Sequence, residues 1–338
     1  MLEKIVDKFS ETRILVIGDV ILDKYIFGDA SRLSPEAPVP VVNITGEKYV
    51  LGGAANVAAN VASLGGKVYL CGVVGDDYES SVFVDIASSL GINSHLYKSK
   101  DFPTILKTRV LANNHQLVRL DREKKVEFDR YTFQRLSEKI NSLIDSVDLV
   151  ILSDYNKGVL ADYLFSRDLV RKIKRNYHKP VLVDPKPVNI GNFFYADCIA
   201  PNLKEAEEIF LILKGYAAGP KLNKKDNYLP RLSRYIMNNS HSKSVAITCG
   251  DDGIFACARE INNGKRVCVH ASLPAKAREV YDVSGAGDTA LAVMGMAWAS
   301  GANLFEACEL ANAASGVVVG KIGTATLTRK ELKANLKK

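Results

Sequence analysis

Two carboxylates and two glycines fall within the stretch Asp282–Thr289 (DVSGAGDT), directly before the small, apolar run Ala290–Ser300 (ALAVMGMAWAS). That run reads as a packed helix. Gly285, Ala286 and Gly287 then sit where a loop becomes a helix N-terminus. Small residues there leave the first turn's free N–H groups open to a ligand. The helix dipole adds partial positive charge at the same point, which makes an anion site suited to phosphate. Asp288 projects from the first turn beside it. A carboxylate next to an anion hole is what phosphoryl transfer to an alcohol needs. The base takes the hydroxyl proton while the amides hold charge on the moving phosphoryl group. Taken alone, the same residues also fit a helix-capping acid and a tight turn.

A second glycine pair, Gly52-Gly53, precedes an alanine-rich helical run that continues to Ser63-Leu64-Gly65. It allows close backbone approach of a bulky group, and Asn56 points from the first turn. Asp19, Asp154, Asp184 and Asn202 close apolar strand-like runs. Lys107 and Arg109 share one strand face by their period-two spacing, with Arg119 nearby.

These residues need a sheet to position them. Arg13–Asp19 (RILVIGD) reads as a buried first strand that delivers Asp19 to an open edge. Val20–Phe27 and Val39–Ile44 are short and β-branched, separated by a Pro-rich loop, and read as a hairpin-like excursion outside the main core. Val68–Val74 is a second buried strand, followed by a helix to Leu90. Gly91–Tyr97, Thr104–Ala112 and Leu117–Asp121 form a second set of short strands. From Tyr131 the pattern is regular. Helices Tyr131–Asp145, Asp162–Asn176, Leu203–Leu213 and Leu229–Asn238 alternate with strands Asp148–Ser153, Val181–Asp184, Cys198–Pro201 and Val245–Cys249. A tight turn at Gly250–Gly253 leads into strands Ile254–Ala258 and Arg266–Val269. A last helix, Phe305–Gly320, closes the chain, and Gly215–Asn227 reads as a surface insertion. Alternating strands and helices mean an α/β fold with a mostly parallel sheet covered on both faces. Ligands in such sheets lie at the C-terminal strand ends.

The chain has 338 residues, 47% hydrophobic and 25% charged, with a formal charge of +7. This composition is that of an ordinary globular protein with a sizeable core. The basic excess is modest and spread out, apart from Lys221–Lys225 and the Lys-rich C-terminus, so no nucleic-acid partner is expected. The six cysteines are scattered without a Cys-x-x-Cys pair, which speaks against zinc and for small buried hydrophobes in a reducing compartment. The mixed-charge N-terminus is no signal peptide, and no apolar run approaches membrane-spanning length. A cytoplasmic protein without a membrane partner is expected.

Gly52-Gly53-Ala54-Ala55-Asn56 and DVSGAGDT, in this order, resemble the two signatures of the ribokinase-like (PfkB) sugar kinase family, over essentially the whole chain. The resemblance implies one kinase domain over residues 1–338, with a small β lid made by insertions at about 20–50 and 92–121. It implies that Asp288 is the catalytic base and that the Gly285, Ala286 and Gly287 amides are the anion hole. Asp19, Asp23, Gly52, Gly53 and Asn56 would hold the sugar. Asn202 and Glu205 (N-x-x-E) would organise Mg²⁺ and phosphate through water. Thr248, Gly250 and Gly253 would line ATP, and Asn312 would lie near the adenine. The partners implied are ATP, a small sugar and a second copy of the chain through the lid, and potassium activation is left open.

Longer stretches (ILVIGDVILDKYIFGDASRLSPEAPVPVV, SDYNKGVL, VDPK and APNLKEAEE) resemble one bacterial branch of the family, the heptose 7-phosphate kinases. That branch makes a 1,7-bisphosphate at the anomeric hydroxyl, on the route to ADP-heptose for lipopolysaccharide. It is often fused to an adenylyltransferase, and a chain ending at Lys338 resembles the stand-alone form. The substrate's own phosphate then needs a cationic site, because an unpaired dianion in a closed pocket is costly. Lys107, Arg109, Arg119, Lys157 and Lys186 are the candidates, with Lys186 alternatively on ATP.

Other nucleotide folds fit less well. No G-x-G-x-x-G follows the first strand, which excludes the dinucleotide fingerprint. In Ser315–Ile322 (SGVVVGKI) a serine replaces the first glycine of a Walker loop and an isoleucine replaces its metal-binding hydroxyl. A non-catalytic sugar sensor on the same fold would need neither Asp288 nor the Asn202–Glu205 pair.

Overall fold

The structure is a computed structural model that describes residues 1–113, 115–124, 127–216, 227–262, 265–275, 281–321 and 323–337. A short helix, α1 (Leu2–Asp7), precedes the first long apolar run, which forms β1 (Arg13–Gly18). The chain then leaves the main body in two long strands, β2 (Val20–Leu33) and β3 (Pro40–Gly53), and returns through α2 (Ala54–Ser63). β4 (Lys67–Gly75), α3 (Tyr78–Ser89) and β5 (Asn93–Ser99) follow, then β6 (Leu106–Ala112) and β7 (His115–Arg122). The regular part comprises α4 (Arg130–Leu143), β8 (Leu149–Ser153), α5 (Tyr163–Lys172), β9 (Val181–Asp184), β10 (Cys198–Ile199), α6 (Leu203–Tyr216) and α7 (Tyr228–Ser240). β11 (Ser244–Thr248), β12 (Ile254–Asn262), β13 (Lys265–Leu273), α8 (Ala286–Ala299), α9 (Leu304–Val318) and α10 (Arg329–Leu336) complete it.

The main sheet runs β13-β12-β11-β10-β9-β8-β1-β4-β5. Its pairs are parallel from β11 to β5, and β12 and β13 are added antiparallel. Alternation on β1 explains the two-sided cover. Ile14 and Val16 pack with α1, α2, α8 and α9, whereas Leu15 and Ile17 pack with α4, α5, α6 and α7. Each such fully buried aliphatic side chain contributes about 1.5–3 kcal/mol relative to exposure. α2 and α8 are buried nearly all round, because their alanines let them approach the sheet and each other closely.

β3-β2-β6-β7 form a separate four-stranded sheet. β2 and β3 exceed the expected lengths, because pairing along Val20–Gly53 continues through irregularities at Phe27/Gly28 and Ala30/Arg32. One expectation needs correcting. Gly91–Tyr97, assigned from its sequence to the small set of strands, falls largely within β5 (Asn93–Ser99), which pairs parallel with β4 at the edge of the main sheet. Only β6 and β7 of that second insertion join the small sheet. A second correction is α10, which follows the helix expected to be last. Its Thr328–Glu331 capping box starts it, and buried Leu332 docks it. Cys71, Cys198, Cys257 and Cys308 are buried, whereas Cys249 is only partly so. Most of the expected surface insertion Gly215–Asn227 lies outside the described residues.

Candidate active site

α2 and α8 begin side by side at the C-terminal end of the sheet. Gly285 caps α8 with a left-handed φ of 78°, and Asp288 lies buried in the first turn. Asn56, at the same position of α2, donates from Nδ2 to Asp288 Oδ2 at 2.8 Å. A Cβ on Gly285 would come within 2.7 Å of that Asn56 nitrogen, so the glycine is required by both conformation and space. The other carboxylate oxygen, Oδ1, accepts from the Tyr155 hydroxyl at 2.7 Å. Burial drives the Asp288 carboxyl up to about 6, and the bonds from Asn56 and Tyr155 oppose that rise. Asp288 is therefore a carboxylate at neutral pH that sits closer to proton uptake than an exposed one.

Behind Asn56 lies a buried relay. Asn60 Nδ2 donates to Asn56 Oδ1 at 3.3 Å, and the Thr289 hydroxyl donates to Asn60 Oδ1 at 3.0 Å. These contacts fix the Asn56 amide with its nitrogen toward Asp288.

Two cavities meet at this point. One of about 170 Å³ holds Asp288, Tyr155, Asp184, Lys186, Glu205 and Gly287 on its walls. The other, about 380 Å³, is lined by Thr248, Gly250, Gly253, Ala286, Gly287 and Asn312. Asn202, Thr248 and Gly287 belong to both. The larger space suits a nucleotide, and the shared rim is where a terminal phosphate would pass to an acceptor beside Asp288. Of the three expected anion-hole amides, Ala286 already donates to the Val283 carbonyl at 3.2 Å. Gly287 is exposed, and a Cβ there would meet nothing within 4 Å.

Asn202 and Glu205 form a reciprocal cap of α6. The Asn202 N–H donates to Glu205 Oε2 at 3.1 Å, and the Glu205 N–H donates to Asn202 Oδ1 at 2.9 Å. Glu205 Oε1 also accepts from Lys186 Nζ at 2.6 Å. Burial disfavours the Lys186 charge, but Glu205 outweighs it and the ammonium is held above its ordinary range. Asp184 is pushed well above the usual carboxylate range by burial and by Glu205. Thr248 bridges to Asn202, and the Gly250–Asp252 turn forms a wall of the larger cavity. Asn312 is fixed there by donating to the Pro274 carbonyl at 2.6 Å.

The structure brings Asp23 and Gly52 together on paired β2 and β3, where a Cβ on Gly52 would reach 2.3 Å from Asp23 Oδ2. Arg109 Nη1 donates to Asp23 Oδ1 at 2.5 Å, and this outweighs the burial that lowers the guanidinium. Gly53 caps α2. Three candidates stand elsewhere. Asp19 is buried, and its carboxylate accepts backbone N–H bonds from Tyr155, Lys157 and Val159 at 3.0, 2.9 and 3.0 Å. Those bonds occupy it as the anchor of a turn, where a sugar ligand was expected. Lys157 reaches out to Glu123 at 2.6 Å and lines a different cavity. Arg119 is half-exposed and pairs with Asp121 at 2.8 Å. Asp154 caps no helix; it accepts from the Asn156 N–H, the Lys186 N–H and the Asn189 amide. Tyr155, Asn60 and Thr289 were not singled out in sequence. The available signal for Tyr155 was its place just past a strand end.

Fold and site together define an ATP-dependent sugar kinase. Residues 11–331 match the pfkB family of carbohydrate kinases. The chain is 41% identical over 337 residues to the bifunctional protein HldE of Coxiella burnetii, an alignment covering 99% of this chain and 66% of that protein. The chain thus spans about two thirds of the length of the curated relatives it matches. Phosphofructokinase-2 of Escherichia coli, solved in complex with potassium, superposes with a TM-score of 0.73 at 17% identity, over 96% of this chain and 98% of that one. The ribokinase of Arabidopsis thaliana complexed with ribose and ATP gives 0.68 at 18%, over 97% and 99%. At such identities the likeness is one of fold. The chain belongs to the pfkB family of carbohydrate kinases. No helix among the described residues is long and apolar enough to cross a membrane.

Proposed function

We propose that this chain transfers the terminal phosphate of ATP to the anomeric hydroxyl of a heptose 7-phosphate, giving the 1,7-bisphosphate that leads to ADP-heptose and lipopolysaccharide in the cytoplasm. The observation that carries the reaction class is a buried carboxylate, Asp288, on the wall of the smaller cavity, next to Gly287 on the rim shared with the larger one and at a helix N-terminus. The heptose branch is supported by the long matching stretches named above and by the 41% identity with HldE.

Asp288 takes the proton of the hydroxyl as the oxygen attacks the terminal phosphorus, and the bond to the bridging oxygen of ADP breaks. The Gly285 and Gly287 amides face the charge on the moving group. Lys186, already beside Glu205, neutralises the phosphate chain. The oxygen donors Asp184, Asn202 and Glu205 on one wall suit a hard cation, so they would hold Mg²⁺ through water, and it would neutralise phosphate charge. Asp23, Gly52 and Asn56 bind the sugar.

For the distal phosphate, among the four candidates Lys107, Arg109, Arg119 and Lys157, Lys107 is the least committed. Its ammonium is 3.8 and 4.0 Å from Asp121 and Glu123, beyond hydrogen-bonding reach. Arg109, Arg119 and Lys157 hold carboxylates at 2.5, 2.8 and 2.6 Å. The small sheet also exposes Phe27, Leu33, Ile44, Leu117, Val118 and Leu120. We assign this apolar surface to pairing of two lids in a homodimer.

The test is ADP release with Mg-ATP across heptose 7-phosphate, sedoheptulose 7-phosphate, fructose 6-phosphate, ribose and adenosine, in potassium and in sodium buffer. Preference for the aldoheptose phosphate is expected. Turnover of a different sugar alone keeps the kinase and removes the heptose assignment.

A further inference from the structure

Tyr155 touches the reacting carboxylate and is itself held with unusual firmness. It lies on the turn between β8 and α5 that closes over Asp19. Backbone N–H groups of Tyr155, Lys157 and Val159 all donate to that one buried carboxylate. From the other side Asp154 accepts the Asn156 N–H at 2.7 Å, and the Asn189 amide donates to both Asp154 and Asn156. Asn156 takes a left-handed φ of 55°, which these contacts impose. The path of the turn is thus fixed independently of any ligand. At its end the Tyr155 hydroxyl lies 2.7 Å from Asp288 Oδ1, and its ring lies 5.4 Å under the Lys186 ammonium.

We propose that Tyr155 is a positioning residue for phosphoryl transfer: its hydroxyl fixes the orientation of the Asp288 carboxylate, and Asp19 fixes the turn that carries it. The proposal rests on Asp288 being the base. A carboxylate rotates about its Cβ–Cγ bond unless both oxygens are held. Asn56 holds Oδ2 and Tyr155 holds Oδ1, so the remaining lone pairs face one direction, toward the cavity. The Tyr155 hydroxyl stays protonated, because burial and the Asp288 charge raise it well above 10, so it donates at every working pH.

The groups that face Asp288 are Asn56 from α2, Tyr155 from the turn, Asp23 from β2, and Lys186 and Asp184 from the end of β9. Burial and Asp23 disfavour the charged base, whereas Asn56, Tyr155 and Lys186 favour it. Removing the Tyr155 hydroxyl takes away one favourable donor, so the base binds its proton more tightly.

The experiment follows kcat/KM for the sugar against pH in wild type and Tyr155→Phe, with the fold checked by melting. The acid limb is expected to move up by about one pH unit, the worth of one hydrogen bond to a charged group, with KM for ATP unchanged. In an Asp288→Asn background, Tyr155→Phe should cost nothing further, because its target is gone. An unmoved acid limb, or the same loss in both backgrounds, overturns the proposal while leaving the base in place. High turnover in Asp288→Asn itself removes the base reading, and this proposal with it. Asp19→Asn gives a second line. The same displaced limb without a raised sugar KM is expected, whereas a raised KM with a wild-type profile would return Asp19 to the sugar.

Discussion

Asn56 Nδ2 lies 2.8 Å from Asp288 Oδ2 and joins the first turns of α2 and α8 across 232 positions of sequence. The two glycine-rich signatures are therefore one device: the first supplies a donor to the carboxylate carried by the second. Gly285 is the point where this device has no slack. Gly285→Ala is expected to lower kcat/KM by about 10²–10³, on the scale of disturbing one preorganised polar contact at the reacting group, because its Cβ displaces Asn56 from the Asp288 carboxylate. Gly287→Ala, with open space around it and a helical position, is expected to fold at least as well as wild type. Measuring activity and melting of both variants checks the contrast; equal behaviour of the two would contradict it.

Activity and stability should part company in acid. Asp288 and Asp19 are each raised by burial from 3.8 to about 6, so between those values the folded protein binds more protons than the unfolded chain. Their contribution to stability is therefore greatest on the acid side and diminishes as pH rises through about 6. The base, however, is lost below about 6. Turnover should fall between pH 7 and 5 with no matching fall in melting temperature. Asp77, lowered through its Thr104 and Ser80 bonds, loses its stabilising contribution only at more acid pH. Melting and turnover in one buffer series test this, and a parallel decline would contradict it.

The distal phosphate gives a separate prediction. Lys107→Ala is expected to raise KM for a phosphorylated sugar more than tenfold while changing KM for its unphosphorylated analogue by less than about twofold. Equal effects on both sugars would move the phosphate site away from Lys107.

Much of this arrangement is readable in the sequence, for reasons visible in particular residues. Asp288 and Gly285 were legible because a helix start constrains both residue type and spacing locally. The unbroken apolar run Ile14–Ile17 announced a strand covered on both faces. What sequence did not convey were relationships made by the fold. Asp19 ends a strand, as a ligand-binding acid would, but the turn at 155–159 folds back over it and occupies both oxygens. Gly91–Tyr97 reads like a small-sheet strand, and only the pairing of β5 with β4 places it at the edge of the main sheet. Asn60 and Thr289 look like ordinary helix residues, because the bond that joins them crosses from α2 to α8.

The central claim is that Asp288 takes the proton from the sugar. It is tested most directly by kcat for Asp288→Asn in the ADP-release assay with heptose 7-phosphate. The substitution keeps the shape of the side chain and removes its basicity. A fall of about 10²–10⁴ with an unchanged melting temperature and little change in sugar KM is predicted, the usual worth of a positioned base. Turnover within a few-fold of wild type would contradict the account.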